Sequence, residues 1–432
     1  MRPGEAFMSR RVLIVGCGAS GMMAAIAAAK AGADVTVLEA MKLPGRKLLM
    51  TGNSRCNLTN TAPRTAASYL SENDREAVSM AASVLGQFSV NDTLDLFHQM
   101  GLLTTVEHGT YVYPLSGQSG SVLEILLQQM KELGVRLRYA CRAVGLERTE
   151  KGWTVLTDGW KYEADAVILA CGSKAAPKTG SDGSGYLLAK ALGLHVTEVV
   201  PALTGIAVRD GRRLLSPLAG VRMTAGVSAW ADGIPLCRDI GQLQFTASDL
   251  SGIVVFQVSR KVSRALKEGK QVELRLDLIP AFTEDEVETI LAHYGQNHPD
   301  APLRLALCGL LPQQLIQTVL DRWTAENGQR GAHVPDTAGS MDRMLIRSLS
   351  ELIKDFRLKA DHVRGFDSCQ VCAGGIALGE VDEKTLACRR QALSGLYIAG
   401  ELLDLDGPCG GYNLQWAWSS GYVAGKHAAE GC

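Results

Sequence analysis

Six residues, Gly16-Cys-Gly-Ala-Ser-Gly21, constrain the fold of this chain more than any other feature. They follow Arg11 to Val15, which reads as a buried strand, and they open Ser20 to Ala31, an alanine-rich helix. Asp34 to Leu38 reads as a second strand ended by Glu39, so the three elements form a β-α-β unit. At such a junction Gly16, Gly18 and Gly21 let the backbone turn tightly and approach a pyrophosphate, whose charge rests on the helix N-terminus beside Ala19 and Ser20. Glu39, followed by Ala40, is placed to accept hydrogen bonds from adenosine ribose hydroxyls. A glycine-rich turn without a ligand is the bland alternative, and the acid at Glu39 argues against it.

The segment Gly45 to Asn60 indicates a flavin rather than a nicotinamide dinucleotide. It is polar and glycine-punctuated and lies just after the second strand, where nicotinamide-binding units seldom need such a loop. In a flavoprotein it wraps the pyrophosphate and isoalloxazine, with Lys47, Arg55 and Asn57 as donors and Gly52, Asn53 and Cys56 lining the path; an ordinary surface loop is the competing reading. Val144 and the strand end Ala170-Cys171-Gly172 extend the expected FAD contacts. Near the C-terminus, Gly400-Glu-Leu-Leu-Asp404 follows a strand, and Glu401 or Asp404 can hold ribityl hydroxyls. Gly410-Gly-Tyr-Asn-Leu-Gln415 starts a helix whose N-terminus, from Gly411, Tyr412, Asn413, Leu414 and Gln415, can stabilise negative charge on the reduced ring.

At 432 residues the chain exceeds one ordinary core, and two or three units are expected. The expected class is α/β: a discontinuous, Rossmann-like two-dinucleotide FAD domain, 1–193 and 369–432, interrupted by an inserted domain. The insert, 194–368, is expected to be β-rich and barrel-like over 194–280 and 355–368, and helical over 281–354. Helix Ser121 to Leu133 and strands Val135 to Tyr139, Trp153 to Thr157 and Ala166 to Cys171 belong to the first part; Gly421 to Ala429 reads as a closing helix. Arg10-Arg11 and the apolar stretch after them imitate a secretory signal, but the glycine spacing has its own explanation. No stretch of about 18 uncharged apolar residues is present to span a membrane. Eleven scattered cysteines, an odd number, point to a reducing cytoplasm. Residues Met1 to Phe7 match no element, leaving Met8 as a candidate start. A net charge of -1 argues against nucleic acid as a partner, and the sequence sets no oligomeric state.

Four segments carry a resemblance that runs nearly end to end: Lys47 to Asn60, Cys171 to Tyr186, Phe245-Thr-Ala-Ser-Asp-Leu-Ser-Gly252, and Gly400 to Trp416. In these the chain resembles the BaiN-like and aminoacetone-oxidase-like bacterial flavoproteins, which have a glutathione-reductase-type FAD domain and an inserted β-rich plus helical domain. The resemblance implies FAD and reduction of a 3-oxo-Δ4 or Δ6 bile-acid-like steroid, or oxidation of a small amine or aminoketone by O2. The chain departs from the family pattern in Gly52-Asn-Ser54, where many members have three glycines, in Ala247, where many have histidine, and in Cys372, where threonine is expected. A catalytic role for that histidine therefore does not carry over.

Candidate proton donors are Tyr412, beside the helix start, and Tyr111 and Tyr113 in Gly109-Thr-Tyr-Val-Tyr-Pro114, with hairpin packing as the alternative role. Cys369-Gln-Val-Cys372 reads first as strand packing; a dithiol relay or half a metal site is the chemical alternative, and no second ligand pair appears at matching spacing. No metal is expected. There is no second glycine-rich dinucleotide motif between the FAD halves, so NAD(P)H would bind transiently over the flavin or another protein would deliver electrons. The remaining alternative is a non-catalytic flavoprotein whose insert is a binding module; Arg209, Arg212 and Arg213 form a small basic cluster in it, for which solvated loop charge is the competing reading.

Overall fold

A computed structural model describes residues 9–62, 65–329 and 333–431. Met8 as a start lies outside the described residues. The chain divides into two compact units, Met1–Val200 with Phe366–Cys432, and Pro201–Gly365.

The first unit is built on a five-stranded parallel sheet. Its central strand β1 (Arg11–Val15) pairs with β2 (Asp34–Leu38) on one side and with Ala166–Leu169 on the other, and Arg136–Arg138 and Leu396–Ile398 form the edges. The apolar residues of β1 and Ala166–Leu169 are buried along nearly their whole length, as parallel strands covered on both faces must be. The helix α1 (Ala19–Lys30) packs on the C-terminal helix Tyr412–Glu430, which is continuous where the sequence suggested a start at Gly410–Gln415 and a separate Gly421–Ala429 segment. Their backbones approach through two glycines: a Cβ on Gly421 would lie 2.3 Å from the Ser20 carbonyl oxygen, and one on Gly425 2.3 Å from that of Ala24. The unbroken helix follows from this contact, which buries a face that is weakly apolar in sequence. The strand expected to reach Tyr139 ends at Arg138, and that expected to reach Cys171 ends at Leu169, because pairing stops there.

Two further antiparallel sheets sit on this unit. One is the meander Ala143–Thr149, Gly152–Thr157 and Lys161–Ala164. The other places β3 (Thr59–Asn60) and β4 (Thr104–Glu107) on either side of β5 (Tyr111–Pro114).

The second unit contains a closed six-stranded antiparallel barrel made by Ile206–Val208, Asp249–Ser251, Ile234–Phe245, Arg222–Ala231, Val272–Asp277 and Phe356–Val363. Strict alternation along Val272–Asp277 sends Val272, Leu274 and Leu276 inward, the period-2 pattern of a strand with one buried face. Helices Glu284–Asn297, Leu303–Leu307, Gln313–Gln329 and Arg343–Lys354 share the barrel's apolar core through Leu291, Leu307, Val319, Trp323 and Leu349.

Candidate active site

The turn after β1 is shaped by contacts that exclude side chains. A Cβ on Gly16 (φ +104°) would lie 2.5 Å from the Ala170 carbonyl oxygen, and one on Gly21 1.9 Å from that of Gly16. Gly18, by contrast, has no protein atom near its would-be Cβ. It caps α1 without a side-chain hydrogen bond, and α1 has no acidic residue in its first turn. A twelve-residue helix thus presents uncapped N–H groups beside open space, the local requirement for holding a phosphate.

Glu39 follows β2 and is buried, its carboxylate accepting from Cys17 N at 2.9 Å and Met41 N at 2.8 Å. Each carboxylate oxygen keeps capacity for a second donor, so the position fits a ribose diol. Ala40 follows directly, and Val144 is the bulged residue of its strand, skipped by the ladder between Ala143 and Gly145. Ala170 N binds Val15 O at 2.9 Å, and Gly172 (φ +72°) turns the chain away from the sheet.

Lys47 does not point alone into solvent. Its ammonium meets Glu401 at 2.5 Å, and the same carboxylate oxygen accepts from Ser173 Oγ at 3.1 Å. Ser173 is a buried member of this group that the sequence does not single out; the Cys171–Tyr186 motif contains it without suggesting a role. Gly400 comes directly against α1, since a Cβ there would lie 2.4 Å from Ser20 Oγ. Asp404, buried, accepts from Gly374 N at 3.1 Å and Glu72 N at 3.0 Å, so its carboxylate clamps backbone.

The loop after β2 is strained. Gly52, Asn53, Ser54 and Cys56 all have φ between 55° and 66°. Three of these four carry side chains in the left-handed region, which costs about 1–2 kcal/mol each for an ordinary residue. Glycine relieves that strain but loses more unfolded-state entropy, so Ser54→Gly should raise stability by about 0.5–1 kcal/mol, read as a higher urea midpoint. A lower midpoint would show that the Ser54 side chain itself stabilises this conformation. Burial pushes the Cys56 thiol up to about 12, and Cys171 likewise, so both remain neutral thiols.

The far end of the site is the N-terminus of Tyr412–Glu430. Gly411 (φ +93°) precedes it without a side-chain cap, and its first turn has no acid. Asn57, its amide oriented by the surrounding donors and acceptors, accepts from Gly411 N at 3.3 Å. Asn413 closes the Gly407–Gly411 loop by pairing with Gly407 N and O at 2.9 and 2.7 Å. Gln415, fully buried, bonds Thr59, Thr93 and Ser419. The side chains of Asn413 and Gln415 are thus engaged by the fold, and Gln415 N already donates to Gly411 O at 2.9 Å, leaving the backbone N–H groups of Asn413 and Leu414 as the helix-terminal donors. Nine residues separate Tyr412 from the Gly421 crossing at Ser20, roughly 13 Å at the helical rise. The two open helix ends lie within reach of one extended dinucleotide.

Beside that second helix end stand the aromatic candidates. β5 carries Tyr111 and Tyr113 on the face opposite buried Val112. The Tyr111 ring lies against Gly410, and Asn60 Nδ2 bonds Gly410 O at 2.8 Å. Arg55 stacks over the Tyr113 ring at 4.4 Å and forks onto Glu107, with one contact at 3.1 Å. Glu107 goes unnoticed in the sequence because only the hairpin register brings it there. Burial raises the Tyr113 phenol above its ordinary range, so it stays protonated at neutral pH. Tyr412 packs edge-on against Tyr69, 6.2 Å between centroids, and its carbonyl accepts from the Tyr69 hydroxyl.

Among the described residues no group of three or more His, Cys, Asp or Glu gathers as a metal site, and no helix is long and apolar enough to cross a membrane. Residues 10–427 match the family model described as HI0933-like protein Rossmann domain. The chain is 40% identical over 424 residues to the 3-dehydro-bile acid delta(4,6)-reductase of Clostridium scindens, covering 97% of this chain and 99% of that protein. It is 28% identical over 418 residues to the ribosomal RNA dihydrouridine synthase of Escherichia coli, covering 96% of each. Among solved structures, the 3-ketosteroid-delta4-(5alpha)-dehydrogenase of Rhodococcus jostii aligns over 98% of both chains with 16% identity and a TM-score of 0.49.

Proposed function

The chain belongs to the HI0933-like family, and from that premise we propose that it is an FAD-dependent oxidoreductase reducing a carbon-carbon double bond conjugated to a carbonyl, with a 3-oxo-Δ4 or Δ6 bile-acid-like steroid as substrate. The observation that carries this reading is the end-to-end 40% identity with a bile-acid delta(4,6)-reductase. The geometry is compatible with it: Gly16, Gly18 and Gly21 with α1 would hold the pyrophosphate, Glu39 the ribose, and the Lys47–Glu401 pair and the Tyr412 helix end the flavin side. When bound and reduced, FAD would supply a hydride from N5 to the β-carbon of the enone. The chain's own task is to orient the substrate and supply a proton to the α-carbon. Tyr412, Tyr111 and Tyr113 are the candidate donors, gathered at the start of the Tyr412–Glu430 helix and on the β5 face beside Gly410. The open N–H groups at Tyr412–Glu430 favour negative charge placed beside them. With no second glycine-rich dinucleotide motif between the FAD halves, the proposed electron source is NAD(P)H bound transiently over the flavin, or another protein.

A second substrate class has its own support, since the dihydrouridine synthases cover the chain at 28% identity and dihydrouridine is uridine with one ring double bond saturated. The bond chemistry is the same. Charge favours the small molecule: the chain carries 44 Lys and Arg against 45 Asp and Glu, without the basic excess that holds an RNA backbone.

Anaerobic stopped-flow absorbance tests both. Reduced protein is mixed with a 3-oxo-4,6-diene steroid, with uridine-containing ribosomal RNA, or with O2. Fast flavin reoxidation by the steroid alone is expected. Fast reoxidation by RNA with none by steroid would replace the substrate, and fast reoxidation by O2 alone would make the protein an oxidase of amines or aminoketones.

A further inference from the structure

Cys369 lies in the loop leading to the strand Val371–Ala373, on which Cys372 sits, and the two buried side chains pack together with Ala175. Neither forms a disulfide, and Cys369 Sγ is 3.6 Å from Phe366 O. Contact between thiols three residues apart is the local precondition for a disulfide. What they touch sets this pair apart from core packing. Cys372 packs with Ala175, whose N–H donates to the Ser173 hydroxyl at 3.2 Å; that hydroxyl bonds Glu401 at 3.1 Å, and Glu401 holds Lys47. The dithiol therefore abuts the polar group that forms the flavin side of the site.

We propose that Cys369 and Cys372 are a redox-active pair that exchanges two electrons with the FAD bound beside Lys47 and Glu401. The step balances: two thiols lose two electrons and two protons and form one S–S bond, while FAD takes up both electrons and both protons to become FADH2. In this direction the pair stores a second reducing equivalent pair, which a substrate with two conjugated double bonds would consume in sequence. The proposal rests on the FAD reading of the site.

The surroundings favour the chemistry. Hydrogen bonding from Cys369 holds the Cys372 thiol below its ordinary range, with Ser173 and the Lys47 charge adding to the effect, while that same bond and burial push Cys369 up. Both are buried, so the flavin rather than an external protein is the partner within reach.

The test is an anaerobic dithionite titration of the FAD-loaded protein, with flavin content measured independently. Four electrons per FAD are expected for the native chain and two for Cys369→Ser and Cys372→Ser. Cys372→Thr, which removes the thiol while filling a volume closer to that of cysteine than serine does, provides a folded variant if serine does not. In the oxidised protein the tryptic peptide spanning 365–384, whose only cysteines are these two, should be two hydrogens lighter and resist alkylation, and it should take two alkyl groups after reduction. Two electrons per FAD in the native chain, with both thiols alkylated in the oxidised protein, would overturn the pair and leave the FAD reading intact. Protein that takes up no FAD would overturn both.

Discussion

Gly21→Ala yields protein that retains almost no FAD and melts well below the native chain. The new methyl would stand 1.9 Å from the Gly16 carbonyl oxygen, so the turn or the helix start must move. Forcing backbone apart in this way costs about 3 kcal/mol, and the shift misaligns the α1 N–H groups that the pyrophosphate needs. Gly18→Ala separates the two effects. Its φ of -87° suits any residue and its Cβ meets no protein atom, so the apo protein should melt as the native chain does. If the space above Gly18 belongs to the pyrophosphate, FAD affinity nevertheless falls at least tenfold, about 1.4 kcal/mol. Native FAD retention in both variants, measured by absorbance after gel filtration, would remove the turn from the cofactor site.

Glu39→Ala is the second large effect. Truncation leaves Cys17 N and Met41 N without their acceptor and removes the proposed partner of the ribose hydroxyls. Hydrogen bonds to a charged group are worth about 1.5–3 kcal/mol each, so FAD binding should weaken by roughly 10- to 100-fold. Glu39→Gln keeps one carbonyl acceptor and should fall between. Titration of apo protein with FAD, followed by quenching of flavin fluorescence, reads the difference. Equal affinity for native and alanine proteins would assign Glu39 to the turn alone.

These two predictions involve the part of the site most legible in sequence. Strand, glycine turn, helix and acid occur within Arg11–Glu39, and their pattern follows from local rules: a period-2 or continuous apolar run, glycines where backbones meet, and an acid at the strand end. The barrel strands Val272–Asp277 and Phe356–Val363 fall within the stretches 194–280 and 355–368 that the sequence reads as β-rich. Boundaries were less legible. Cys171 and Tyr139 have strand-like neighbours, yet only pairing decides where a ladder ends, and Tyr412–Glu430 is one helix because α1 supports it along its length.

By itself, then, the sequence determined the dinucleotide-binding class of the first unit and the positions of its glycines and Glu39, since those depend on residues within two or three turns of one another. The tertiary structure alone decided who meets whom across the site. Lys47 and Glu401 are 354 residues apart, Ser173 and Glu401 228, and Asn60 and Gly410 350. No local periodicity encodes such pairs. They exist because parallel pairing of strands distant in sequence brings Gly16, Gly172 and Gly400 to one end of one sheet, where the loops after each strand converge. Packing likewise placed Cys369 and Cys372 against Ala175, whose N–H donates to Ser173 Oγ, turning a packing motif into a candidate for chemistry.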